Sequence, residues 1–204
     1  MKRRKLVVVS AGLSQPSSTR LLADRLTAAT AQEARRRGSQ LDVRVIELRD
    51  HAHDLVNNML TGFPSAGLRE TIDSVAAADG LIAVSPIFNA SYSGLFKSFF
   101  DVLDDTALVD KPVLVAATGG TARHSLALEH ALRPMFVYLH AVVVPTGVFA
   151  ASEDWGTESV QGGLANRINR AAGELAAQID QREPATVTDP FANPTPFTEL
   201  LADN

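Results

Sequence analysis

Short apolar runs alternate with longer amphipathic stretches along this chain. The runs cover residues 5–10, 41–48, 80–86, 112–118 and 141–145, each about the length of a strand. They are nearly continuous in apolar residues, the pattern of strands covered on both faces. Between them, helical spacing predicts helices over 18–37, 66–78, 93–104, 121–139 and 157–182. In the first of these Leu21, Leu22, Leu26 and Ala29 keep the spacing, and Arg35, Arg36 and Arg37 ahead of Gly38 are a helix stop.

Five strands alternating with five helices imply βαβ units and a parallel sheet, because parallel neighbours need crossover connections. The expected architecture is an α/β three-layer sandwich of the flavodoxin-like kind, a five-stranded parallel sheet in the order 2-1-3-4-5 flanked by helices. Right-handed crossovers bring the loops after strands 1, 3 and 4 to one carboxyl edge, and the chemistry is sought there. One domain is expected over residues 1–182. Residues 183–204 carry Pro184, Pro190, Pro194 and Pro196, with Phe191 and Phe197 among them, which predicts an extended tail that docks through its aromatic rings.

The first loop, SAGLSQPSST at residues 10–19, ends in three hydroxyls at a helix N-terminus. Free N–H groups and the helix dipole accommodate a phosphate there, although Ser17 or Ser18 also reads as an ordinary helix cap. With one glycine and no following lysine, it is neither a dinucleotide fingerprint nor a nucleoside-triphosphate loop. The second loop, SPIFNASYSG at residues 85–94, combines Pro86, which fixes φ, with Gly94, which permits close approach. It offers Phe88, Asn89 and Tyr92 to a planar ligand, and Ser93 reads as the cap of the next helix. The third, TGGT at residues 118–121, has paired glycines that let backbone N–H groups point into a cleft. Together the loops divide the work: the first grips phosphate and the others frame a flat heterocycle.

Composition narrows the alternatives. The 204 residues, 46% hydrophobic and 21% charged, suit one globular domain with its own core. Cysteine is absent, which excludes disulfides, thiolate metal sites, iron–sulfur clusters and a cysteine nucleophile. A formal charge of −4 gives no support for a nucleic-acid partner or a membrane surface. The basic residues Lys2, Arg3, Arg4 and Lys5 precede only Leu6 to Val9, too short an apolar run for a secretory signal, so a cytoplasmic protein with a solvated basic end is expected. His51 with His53, and His124 with His130, lack metal-ligand spacing, and no metal is expected. Arg20, Lys97 and Arg123 read either as phosphate ligands or as solvated helix faces.

Residues 84–101, VSPIFNASYSGLFKSFFD, resemble the flavin-binding segment of the NAD(P)H-dependent FMN reductases. Residues 117–134, ATGGTARHSLALEHALRP, resemble that family's third loop and following helix. The likeness extends over about residues 5–150 and is strongest to the reductases of two-component systems, which supply reduced FMN to a separate monooxygenase. It implies FMN and either NADPH or NADH, with hydride transfer from nicotinamide to flavin. Ser10, Ser17, Ser18 and Thr19 match the family's phosphate loop. Pro86, Ile87, Phe88, Asn89 and Ser91 match the edge of the isoalloxazine site, and Thr118, Gly119 and Gly120 the loop at the flavin's polar rim. His130 resembles a position where several such reductases carry an inserted aromatic or histidine that produces a π-bulge, implying a part in flavin release or assembly; an ordinary exposed histidine is the alternative. His124 reads as facing the pocket, a subunit interface or solvent.

The resemblance also implies a homodimer or homotetramer. Leu126, Leu128, Leu132, Met135, Phe136 and Leu139, with Phe96, Phe99 and Phe100, offer more apolar surface than one sheet face needs. Hydride transfer needs proximity, stacking and exclusion of water, so no catalytic side chain is expected. Three other readings stand beside this one. An FMN-bound quinone, azo-dye or chromate reductase uses the same scaffold. A non-enzymatic flavodoxin-type electron carrier fits poorly with a charge of only −4. A flavin-free binding module is the third.

Overall fold

The computed structural model describes residues 1–155 and 163–182. Strand β1 (Lys2–Ser10) leads into α1 (Ser18–Arg36), β2 (Ser39–Glu47), a 3-10 turn (Leu48–His51), α2 (Ala52–Thr61), α3 (Ala66–Ala76) and β3 (Gly80–Phe88). A short strand β4 (Ser91–Tyr92) precedes α4 (Gly94–Asp101) and β5 (Pro112–Gly119). Next come a 3-10 turn (Ala122–His124), a π-helix (Leu128–Leu132) and α5 (Arg133–Tyr138). Strands β6 (Val142–Val143) and β7 (Val148–Ala151), a 3-10 turn (Ser152–Trp155) and α6 (Gly163–Gln181) follow.

Strands β2, β1, β3, β5 and β6 lie side by side in that order, β7 also pairs with β5, and β4 folds back on β3. Every pairing is parallel except β3 with β4. The main strands therefore take the expected flavodoxin-like order, and a hairpin and a split last strand raise the total to seven. Successive residues of the buried strands serve opposite faces. Val7, Val9, Leu81, Ala83, Val113 and Val115 pack in one core with Phe96, Phe99 and Phe136. Leu6, Val8, Ile82, Val84, Leu114 and Ala116 pack in the other with Leu22, Leu26, Leu175 and Ile179 from α1 and α6. Helices on both faces explain the continuous apolar runs.

Three expectations are corrected. The last strand is not one run over 141–145. Pro145 has no N–H for the ladder, and Thr146 N donates to Glu174 Oε2 at 2.8 Å instead. Pairing with β5 resumes only at Val148. The helix expected over 121–139 is broken into three pieces, because Pro134 in the first turn of α5 cannot donate to the preceding turn, and the wide π-turn sits just ahead of it. Helix α2, which carries His53, lies between the expected second strand and second helix. The basic end is not simply solvated: Arg4 is 5% exposed within β1, with Nη1 3.4 Å from Asp79 Oδ1 and Nη2 donating to Arg182 O at 2.6 Å. The tail expectation, and the start of the helix expected at 157, fall on residues outside the described ones.

Candidate active site

Three loops meet at the carboxyl edge because β1, β3 and β5 are adjacent and parallel. The first starts where β1 ends. Ala11 N extends the ladder by donating to Val84 O at 3.0 Å, and the chain then turns into α1. Ser17 is the cap of that helix, its Oγ accepting from Arg20 N at 3.2 Å. Gly12 must be glycine: a Cβ there would overlap Ser17 Oγ and lie 3.1 Å from Thr19 Cβ. Thr19 is buried, and its Oγ1 lies 2.9 Å from Thr118 Oγ1, which ties the first loop to the third.

The second loop is a hairpin. Ile87 pairs with Tyr92 and Phe88 with Ser91, and the connecting Asn89 and Ala90 have φ of 48° and 68°. Two positive values are what a type I′ turn requires; Asn tolerates the left-handed region, but Ala90 is strained there. Buried Ser85 fixes the base, accepting from Ser93 N at 3.0 Å and donating to Pro86 O at 2.9 Å. Ser93 caps α4 through Phe96 N at 3.2 Å. In the third loop a Cβ on Gly119 would come within 2.9 Å of Phe149 Cζ, whereas Gly120 borders open space.

A cavity of about 410 Å³ opens between the loops. Of the residues expected here, Ser17, Ser18, Thr19, Pro86, Ile87, Phe88, Thr118, Gly119 and Gly120 line it. Ser10, Asn89 and Ser91 do not. Ser10 lies beneath the first loop, 1% exposed, with no hydrogen-bond partner for its Oγ among the described residues. Asn89 forms the exposed tip of the hairpin, and Ser91 holds its second strand. The sequence reading missed Gly12, Leu13, Ser14 and Ser152. Ser152 follows β7, so the unread apolar run Val148–Ala151 was the signal for it.

The candidate cations divide. Arg20 is held by Asp24 at 2.8 Å and Glu47 at 2.6 Å, hydrogen bonds that raise its pKa, the Asp24 bond foremost. Lys97 pairs with Asp101 at 2.5 Å, which raises the ammonium above its ordinary value. Arg123 is exposed beside the glycine pair, in the same turn as His124. His130 is exposed within the π-helix. His51 Nε2 lies 3.2 Å from Thr71 Oγ1, a structural contact between the turn after β2 and α3. Phe96, Phe99 and Phe100 are core, so they add nothing to an outer face; Leu126, Val137 and Tyr138 are the exposed apolar side chains of that region.

A loop of hydroxyls over a helix N-terminus, an aromatic hairpin and a bare glycine turn around one cavity suit a phosphate joined to a planar ring. Residues 4–156 match the family described as NADPH-dependent FMN reductase. The chain belongs to that family. It is 39% identical over 175 residues to an FMN reductase (NADPH) of Pseudomonas aeruginosa, covering 86% of this chain and 91% of the relative. To the NADH-dependent FMN reductase SfnF of Pseudomonas fluorescens it is 35% identical, with the same coverage of 86% and 91%. Among solved structures, an oxidoreductase from Corynebacterium diphtheriae superposes with a TM-score of 0.86 at 49% identity, covering 90% of this chain and all of that one. The apo form of an NADH:FMN oxidoreductase gives 0.75 at 32% identity, covering 88% and 91%. This FMN reductase is thus a flavin oxidoreductase of flavodoxin-like fold, and no helix among its described residues is long and apolar enough to cross a membrane.

Proposed function

We propose that this FMN reductase seats the FMN phosphate on the first loop and the ring between the hairpin and the glycine turn, and passes the reduced flavin to a separate monooxygenase. The observation that carries the site assignment is the convergence of all three loops on one cavity, with a buried hydroxyl, Ser10 Oγ, that has no partner among the described residues, beneath the loop at the helix N-terminus. A buried hydroxyl without a partner is unfavourable unless something supplies one. Gly12 and Gly119 leave the backbone bare where side chains would intrude, which fits a ligand lying against main chain.

When bound, FMN would supply the electron-accepting ring for hydride from a reduced nicotinamide nucleotide. The protein's part is placement. The N–H groups of α1's first turn and the hydroxyls of Ser17 and Ser18 balance the phosphate charge. Phe88, 48% exposed, and Ile87 offer an apolar edge to the ring. Backbone donors around Gly119 and Gly120 would stabilise negative charge on a ring held against them. No side chain is asked to carry a proton.

The likeness to two-component reductases supports a monooxygenase as acceptor. The exposed Leu126, Val137, Tyr138 and Val142 support self-association through the face that carries α5, and the enzyme is read as cytoplasmic. The test is direct: full-length protein with NADPH or NADH and added FMN. Nucleotide oxidation that depends on FMN and is faster than with riboflavin is expected. Absence of oxidation with either nucleotide overturns the reading.

A further inference from the structure

We infer that Arg49 is a positioning residue that holds the phosphate loop in shape from outside the cavity, with Glu47 as its anchor; the inference rests on the phosphate assignment above. Arg49 belongs to the 3-10 turn after β2, and β2 is the neighbour of β1, so this turn stands beside the first loop. Its Nη1 donates to Ser14 O at 3.1 Å. With the Gln15 amide oxygen turned towards it, Oε1 accepts from Nη1 at 3.2 Å and from Nη2 at 2.6 Å. Nη2 also lies 2.7 Å from Glu47 Oε2. The other oxygen of Glu47 accepts from Arg20 Nη1 at 2.6 Å, and the Arg20 backbone N–H binds Ser17 Oγ. One carboxylate at the end of β2 therefore reaches the loop at two places, through Arg49 to Ser14 and Gln15 in its middle and through Arg20 to the helix cap at its end.

Residues Leu13 to Pro16 are exposed, and the hydrogen bonds described for them all go to Arg49. Nothing in the core fixes this stretch. A guanidinium presents several donors in a rigid plane and meets a carbonyl, an amide oxygen and a carboxylate together, which a lysine ammonium on a flexible stem does not. A loop already shaped before the ligand arrives loses less freedom on binding, so the clamp acts on affinity for the phosphate end of the ligand. Arg49 is absent from the residues that line the cavity, which separates this role from a direct charge contact.

Dissociation constants for FMN and for riboflavin, which lacks the phosphate, decide the matter when measured by flavin fluorescence on the full chain and its Arg49→Lys, Arg49→Ala, Glu47→Gln and Glu47→Gln/Arg49→Ala variants. Losing charge-assisted hydrogen bonds of this kind weakens FMN about ten-fold in both Arg49 variants. Riboflavin stays within about two-fold, because the ring site is untouched. The salt dependence of FMN binding keeps its wild-type slope, since no ion pair to phosphate is lost. Glu47→Gln weakens FMN in the same direction, and the double variant falls short of the product of the singles, the signature of residues acting as one unit. Equal losses for both flavins overturn the inference in favour of a merely structural role. Full affinity in Arg49→Lys, or a shallower salt slope, overturns it in favour of a direct charge contact. A wild-type protein that binds FMN no tighter than riboflavin instead brings down the phosphate assignment, and an FMN preference untouched by every variant brings down the clamp alone.

Discussion

The two ends of the sheet carry cavities of opposite character, and the larger one lies away from the three loops. At the amino edge about 620 Å³ is bordered by Arg3, Arg4, Lys5, Gln40, Asp42 and Asp79 among others, against about 410 Å³ at the carboxyl edge. Much of the polar chemistry at the amino edge is already satisfied. Asp79 accepts from Lys5 N at 2.7 Å and sits against Arg4, while buried Lys111 donates to Val75 O at 2.5 Å and Ala76 O at 2.8 Å. The carboxyl edge leaves Ser10 Oγ without a partner among the described residues and keeps glycines at the cavity wall. Arg4 Nε and Arg182 Nη1 at the amino edge are also buried without partners among the described residues, so the convergence of three loops and their bare glycines, rather than volume or open donors, marks the carboxyl edge.

Gly12→Val should break this contrast most severely. Its side chain would displace Ser17 Oγ from the helix cap and crowd Thr19 Cβ, which lies 3.1 Å from where the first added carbon would stand. Overpacking and a lost cap together cost about 2–4 kcal/mol, and FMN affinity should fall at least about thirty-fold. Gly80→Ala, at the amino end of β3, is the counterpart: its Cβ would meet Ile179 at the sheet face, so it should lower stability and leave the flavin affinity of the folded protein intact. Urea unfolding and flavin titration measure both. Equal affinity losses in the two variants would mean that the carboxyl edge has no special claim.

Lys111 offers a test at the amino edge through pH. Burial foremost, with the nearby Arg182 charge, lowers its pKa to about 8 from the 10.5 of a free lysine, while Asp79 acts in the opposite direction. In the unfolded chain the ammonium keeps its proton up to about pH 10.5. Between these values the unfolded state binds more protons, so stability rises with pH across that window, by about 3 kcal/mol when the whole window is crossed. Lys111→Met should remove the rise, and its curve between pH 7.5 and 9.5, roughly spanning the lower part of that window, should run flat relative to wild type. An unchanged difference between the two proteins across this range would show that Lys111 does not titrate there.

Much of this arrangement was legible from residue order alone, and the failures have local causes. Strands β1, β3 and β5 are buried on both faces, so continuous apolar runs mark them and fix which loops share an edge. The hydroxyls after β1, the proline-led hairpin and the glycine pair were identifiable because turn chemistry is local. Pro134 and Pro145 were visible too, but the number of residues over which each disrupts helix or strand depends on partners supplied elsewhere, such as Glu174 for Thr146 N. Ser152 escaped because its strand was placed too early. Arg49 and Glu47 escaped because a salt-bridged turn on a neighbouring strand leaves no periodic signature, and only the fold sets it beside the loop. The burial of Arg4 was hidden likewise, since its partners Asp79 and Arg182 are distant in sequence.

Ser10→Ala is the gentlest probe and separates ligand chemistry from packing by sign. The wild-type hydroxyl is 1% exposed and has no partner among the described residues, so the folded protein bears the loss of its hydration with no compensating hydrogen bond from them. Replacing it with a methyl group should raise stability without flavin by about 0.5–1 kcal/mol. If bound FMN supplies the missing partner, the same change should weaken FMN about three- to ten-fold, an amount set by one neutral hydrogen bond. Stability and affinity then move in opposite directions. A residue that only fills space cannot do this, because truncating it would lower both or neither. Thermal unfolding with and without FMN reads the two quantities from one sample: the variant should melt higher than wild type alone and gain less from saturating flavin. A variant that melts lower without ligand would show that Ser10 Oγ has a partner inside the protein, and the hydroxyl would then give no reason to seat a ligand over the first loop.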